Sequence, residues 1–115
     1  MLLKDFEEIL SWQKSQELAY DIYKLFANIK DYGFKDQIQR ASVSVSNNIA
    51  EGFERKSNNE FKYFLFVAKG SCGEFRSMLT LAKKLNYITD NDFNKLYIKA
   101  QEISKLLGGL IKSLK

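Results

Sequence analysis

Three groups of residues in this chain have the types and spacing to do chemistry. Glu51 and Glu54, about one helical turn apart, could join Glu74 to hold Mg²⁺. Gly70-Ser71-Cys72-Gly73 has the small residues of a phosphate-cradling run. Lys62, Lys69, Arg76 and Lys83 recur every seven residues, which places four cations on one side of a helix. The first two groups fail on inspection. Arg40 and Arg55 fall beside the carboxylates and would repel a cation. The glycine run follows helix rather than strand and lacks the Gly-Lys-Ser/Thr ending of a phosphate loop. The chain has no His, so Ser-His-Asp and Cys-His catalysis, His-ligated zinc and an Arg–His ribonuclease pair are all excluded. Its single Cys, Cys72, excludes an intrachain disulfide and reads as a small core residue rather than a reactive thiol. These residues point to a protein that is not an enzyme and needs no metal or cofactor.

The basic stripe survives. It lies one step beyond the apolar positions Phe61, Ala68, Phe75 and Ala82 and would run for about 30 Å. The charge of the chain is placed to match. Residues 1–60 carry 8 basic and 10 acidic side chains, a net of −2, whereas residues 61–115 carry 10 and 4, a net of +6. Lys84, Lys95, Lys99, Lys105 and Lys112 belong to that positive half, which can attract a polyanion. No exposed aromatics are interleaved with the stripe in this reading, so sequence-specific recognition is not expected. The bland alternative is an ordinary solvated lysine face.

The elements that position these residues follow from hydrophobic period and breakers. With 115 residues, no Pro and six Gly, the chain suits a single domain, 1–115, of long helices. Four segments show helical spacing, at about 12–30, 34–55, 58–86 and 90–114. Ser11 reads as an N-cap, and Asp31-Tyr32-Gly33 as the end of the first helix. Ser57 with Glu60, and Thr89 with Asp92, read as capping signals for the third and fourth. Short polar turns between such stripes make neighbours antiparallel. The expected fold is all-α, an antiparallel up-down-up-down four-helix bundle. Ala41 to Ser46 alternates apolar and polar like a strand, but no partner strand exists, so helix is the better assignment. Gly70 and Gly73 suggest close approach of the second helix, and Gly108-Gly109 either a weak last turn or close packing. No apolar run approaches the roughly 18 residues of a membrane span, nor does a signal-peptide pattern follow Met1. A cytoplasmic protein without a membrane partner is expected.

The second helix is unusual, because Ala41 to Ala50 carries no charge. Opposite its core face lie Val43, Ala50 and Phe53, and a helix apolar on two sides is usually buried on two sides. In so short a chain the second burial implies self-association through this helix. Between the faces runs a polar stripe of Arg40, Ser44, Asn47, Asn48, Glu51 and Arg55. It reads either as a solvated edge with two ion pairs four residues apart, or as a register-fixing network in which Arg40 meets Glu74.

The run Gln37-Ile38-Gln39-Arg40-Ala41-Ser42-Val43-Ser44-Val45-Ser46-Asn47-Asn48-Ile49-Ala50-Glu51-Gly52-Phe53-Glu54-Arg55 resembles the signature of the bacterial 23S ribosomal RNA intervening-sequence proteins. Trp12-Gln13-Lys14, Tyr23, Phe61, Ala68-Lys69-Gly70-Ser71, Glu74, Leu107, Leu110-Ile111 and Ser113-Leu114 extend the likeness over nearly the whole chain. The resemblance implies a short up-down bundle that assembles into a ring-like homopentamer, without an established enzymatic activity. It also implies kinship with the accessory variability determinants of diversity-generating retroelements, which are basic pentamers that bind nucleic acid and a reverse transcriptase. Many members carry Pro where this chain has Ser46, so a kink there should be weaker here. The expected partners are other copies of the chain and RNA or DNA. The alternative is an oligomeric scaffold that binds another protein and does not touch nucleic acid.

Overall fold

Three side-chain caps set where helices begin. Asp31 Oδ1 accepts the Phe34 N–H at 3.2 Å, Ser57 Oγ the Glu60 N–H at 3.2 Å, and Thr89 Oγ1 the Asp92 N–H at 3.0 Å. Each satisfies a donor that a helix start leaves open. The structure, a computed structural model, describes residues 3–114. It contains α1 (Leu10–Leu25), α2 (Tyr32–Phe53), α3 (Asn58–Lys84) and α4 (Asp90–Ser113), preceded by a short 3-10 turn, Phe6–Glu8. Among the described residues there is no strand, and each helix packs on two neighbours in the cyclic order α1, α2, α3, α4. This is the expected four-helix bundle, 43 × 22 × 19 Å across.

The first helix departs from expectation at both ends. It stops at Leu25 rather than near residue 30, with Phe26 turning the chain and burying its ring completely. Asp31-Tyr32-Gly33 does not end α1 but opens α2, because a carboxylate caps free N–H groups better than it terminates a helix. Ser11 is not the N-cap. Ile9 holds that position, and Ser11 lies buried in the first turn, its backbone carbonyl accepting from Ser15 Oγ at 2.6 Å. α3 ends in a left-handed residue, Asn86, with φ 61°. The Asn86 N–H reaches the Lys83 carbonyl at 3.0 Å and the Tyr87 N–H the Ala82 carbonyl at 2.9 Å, the paired bonds of a Schellman ending.

The core collects the apolar stripes of all four helices. Leu18, Ile22, Ile38, Val45, Ile49, Leu65, Phe75, Leu79, Ile103 and Leu107 are fully buried. Ala41 to Ser46 is helical, and two of its three serines fold back on their own turn: Ser42 Oγ donates to Gln39 O at 2.8 Å and Ser46 Oγ to Val43 O at 3.2 Å. The close approach of α2 to α3 occurs at Gly52. A Cβ there would stand 2.6 Å from Phe64 Cβ and 3.3 Å from the Phe61 carbonyl oxygen. Gly70 and Gly73 were expected to let α2 approach closely, and Gly108-Gly109 to mark either a weak last turn or close packing, yet a Cβ on any of the four meets nothing within 4 Å. Their backbone faces open space, and α4 runs on through both of its glycines to Ser113.

Candidate functional site

The polar stripe on α2 takes the solvated form. Arg40 Nε bonds Asp36 Oδ2 at 2.8 Å, four residues back on the same helix, and its side chain is 77% exposed. The contact with Glu74 that the alternative, register-fixing reading requires is absent: Asp36 is one turn away on the same helix, so the local pair forms without spanning to α3. The Asp36 hydrogen bond also raises the Arg40 guanidinium above its ordinary value. Arg55 Nη2 likewise bonds Glu51 Oε2 at 2.7 Å while its guanidinium lies 4.6 Å from the Phe64 ring centre. Ser44 does link helices, with Asn48 bonded to it one turn on in α2. Ser44 Oγ meets Ser71 Oγ of α3 at 2.9 Å, and Asn48 Nδ2 donates to Ser44 O and Oγ at 2.8 and 3.0 Å. Asn47 is exposed, and Glu51 and Glu74 project to solvent. Among the described residues no three acidic, Cys or His side chains stand close enough to hold a metal ion.

The proposed second apolar face of α2 divides. Val43 and Ala50 lie half-buried on the outward side with Asn47. Phe53 instead turns inward at the bundle end, packing edge-to-face on Phe61 at 5.8 Å between ring centres. A ring so close to the bundle end finds a partner within its own subunit.

The four cations of α3 share one flank by their heptad spacing, and two of them, Arg76 and Lys83, reach rings of α4. Arg76 holds its guanidinium 5.8 Å from the Tyr97 ring centre, and its Nε is buried without a hydrogen-bond partner. Lys83 Nζ lies 4.6 Å from the Phe93 ring centre and 4.0 Å from Asp90 Oδ1. Phe93 and Tyr97 are themselves stacked at 5.2 Å, so two cations and two rings form a ladder across the α3–α4 seam. Lys69 is exposed and Lys62 half-buried. Of the other lysines in the positive half, Lys99 is tied to Asp21 at 2.9 Å, while Lys84, Lys95, Lys105 and Lys112 stand in solvent. Cys72 sits beneath the ladder, fully buried, its thiol donating to the Ala100 carbonyl at 3.2 Å. Burial pushes that thiol up, as befits an inert core cysteine.

The sequence reading missed the aromatics beside this flank. Tyr63 is 63% exposed and Phe66 57% exposed, adjacent to Lys62 and between Lys62 and Lys69. Leu81, 46% exposed, continues the same outward side. The signal was available: positions 63, 66, 70, 73, 77 and 81 recur at helical spacing without one charge. A second missed feature is the seam between α1 and α4. Open grooves of about 850 and 740 Å³ flank Ile98 there, and Leu10 and Ile98 are 50% and 65% exposed.

Comparison with known proteins agrees with this architecture. The family model described as 23S rRNA-intervening sequence protein matches residues 7–109. Among solved structures, a protein of unknown function from the S23 ribosomal protein family of Bacteroides thetaiotaomicron VPI-5482 is 31% identical. It superposes with a TM-score of 0.84 over 90% of this chain and 96% of its own. No curated protein matches the chain. No helix of the described residues is long and apolar enough to cross a membrane. With the match spanning all four helices, the chain belongs to the 23S rRNA-intervening sequence protein family.

Proposed function

We propose that this protein is a non-enzymatic, cytoplasmic homo-oligomer, a pentamer by family resemblance, that binds RNA or DNA without sequence preference through its basic surface. The observation that carries the reading is the α3 flank of Lys62, Lys69, Arg76 and Lys83, in a half of the chain with net charge +6. Repeated around an assembly, the flank gives a continuous positive track that neutralises phosphates and releases counterions. The rings under Arg76 and Lys83 limit how far those two cations can swing, which lowers the cost of ordering them on a phosphate. The same reading extends the likeness to the retroelement accessory determinants.

A salt titration of binding to single- and double-stranded RNA and DNA tests it. Affinity should fall steeply between low and moderate salt, and charge reversal at the four cations should flatten the slope. Absence of binding at low salt sinks the reading. The grooves of the α1–α4 seam favour a second reading, an oligomeric scaffold that docks another protein. In that case binding to nucleic acid is absent and substitution of Ile98 removes the protein partner.

A further inference from the structure

The bundle gives carboxylates to two of its three arginines. Arg40 and Arg55 each hold one four residues back on their own helix, at 2.8 and 2.7 Å. Arg76 has none. Cys72 stands four residues before it and Thr80 four after, so no such local pair can form. Glu74, two residues back, is exposed, and residues two apart on a helix do not face one another. Across the seam, the carboxylates of α4 are engaged elsewhere. Glu102 pairs with Lys14 of α1, Asp92 lines the α1–α4 groove, and Asp90 lies 4.0 Å from Lys83. Yet Arg76 does not stand free in solvent. It is half-buried, its Nε is closed off without a hydrogen-bond partner, and Tyr97 backs its guanidinium at 5.8 Å. Its charge is felt in the core: burial pushes the Cys72 thiol up, and Arg76 draws it partly back. A cation so placed is destabilising, because water is withdrawn from it and no carboxylate replaces that water. The ring offsets only part of the penalty. Packing by itself would be served as well by a methionine, which fills similar space without a charge.

We infer that Arg76 is the anchor of the basic flank, its guanidinium fork gripping a phosphate of the nucleic-acid backbone. The inference rests on the nucleic-acid reading above and ranks the four cations within it. A guanidinium presents parallel donors that a phosphate accepts in pairs, and the Tyr97 ring behind it limits its swing. Lys69, exposed one heptad before, adds a mobile point charge to the neighbouring phosphates. Lys83 contributes less, since Asp90 at 4.0 Å already meets part of its charge. The phosphate supplies the anion that the bundle withholds from Arg76, so the unfavourable placement is relieved only in the complex.

Fluorescence anisotropy of the full chain with a labelled single-stranded RNA and a labelled DNA duplex, across salt, is the readout. Urea unfolding of the unliganded variants stands beside it. Arg76→Met should weaken binding to both probes by about tenfold or more and lower the salt slope by about one. Its urea midpoint should stay at or above that of wild type, because a partly buried, unpaired charge has gone. Arg76→Lys keeps the charge without the fork, so it should hold nearly the wild-type salt slope and still bind several-fold more weakly. Lys83→Met should weaken binding by only about twofold. A wild type that binds neither probe at low salt overturns the nucleic-acid reading and this inference with it. Wild-type binding with Arg76→Met no weaker than Lys83→Met overturns the anchor alone. A lowered urea midpoint with unchanged affinity makes Arg76 a packing residue, and the inference is wrong. Should Arg76→Met fail to fold, Arg76→Lys decides: wild-type affinity overturns the fork, and a loss at wild-type helicity supports it.

Discussion

The α2–α3 and α1–α4 seams hold the same bundle together by opposite means. Of the four seams between adjacent helices, α2–α3 is the most extensive and α1–α4 the least. At the tight seam Gly52 lets the helices close until a Cβ would collide with Phe64, and the hydroxyls of Ser44 and Ser71 meet at 2.9 Å. At the loose seam, long side chains bridge the gap instead. Lys99 reaches Asp21 at 2.9 Å and Lys14 reaches Glu102 at 3.4 Å, with open grooves on either side of Ile98. Small residues bring backbones together and make fit strict, whereas exposed ion pairs tolerate a gap and contribute little.

The strictest test of that contrast is a pair of glycine substitutions. Gly52→Val should cost about 3 kcal/mol, because Phe64 Cβ and the Phe61 carbonyl cannot move without separating the helices. Gly109→Ala, beside the loose seam, should raise stability by about 0.5–1 kcal/mol, since it restores helix propensity into open space. Urea unfolding of the two variants against wild type measures both. Equal effects of one sign would erase the difference between the seams.

The ion pairs of the loose seam should matter less. A double-mutant cycle on Lys99 and Asp21 should give a coupling of about 0.5 kcal/mol that shrinks in high salt, because both side chains are partly solvated. A coupling above about 2 kcal/mol, or one indifferent to salt, would make this seam as specific as the other.

Most of the fold was legible because it is written in period and caps. The buried apolar residues of α2 recur at helical spacing, from Phe34 through Ile38, Ala41, Val45 and Ile49 to Gly52, with Ser42 and Ser46 buried beside them, and Ser57 and Thr89 cap where their spacing indicates. The α1 boundary was not legible, since Asp31-Tyr32-Gly33 can end one helix or begin another and only the placement of Phe26 decides. Glycines misled for a related reason. Gly52, Gly70, Gly73, Gly108 and Gly109 look alike in sequence, but close approach depends on which residue faces them across the seam. Among the candidate site residues, the shared flank of the four cations followed from their heptad spacing. The Arg40–Asp36 pair and the rings beneath Arg76 and Lys83 depend on side-chain reach and on the rotation of α4, which spacing does not encode.

The weakest expected effect lies at the end of the tight half, where Tyr87 in the α3–α4 turn ties back to the start of α2. Its hydroxyl donates to Asp31 Oδ2 at 2.7 Å while Asp31 Oδ1 caps Phe34. The Tyr87 hydroxyl, and then the Phe34 N–H, hold the Asp31 carboxyl below its ordinary value. The Asp31 hydrogen bond, followed by burial and by the carboxylate charge, pushes Tyr87 above its own. The two signs set a window. Asp31 contributes stability in full above its unfolded value of about 3.9, and this is lost as pH falls through the lower folded value. Tyr87 contributes below its unfolded value of about 10, and this is lost as pH rises through the higher folded value. The stability difference between wild type and Tyr87→Phe should therefore be flat from about pH 5 to 9 and narrow at both extremes. Urea midpoints across pH read that difference directly. A difference that persists unchanged into strong acid would mean that Tyr87 supports the bundle end by packing on Phe34, 5.4 Å between ring centres, and not through the carboxylate.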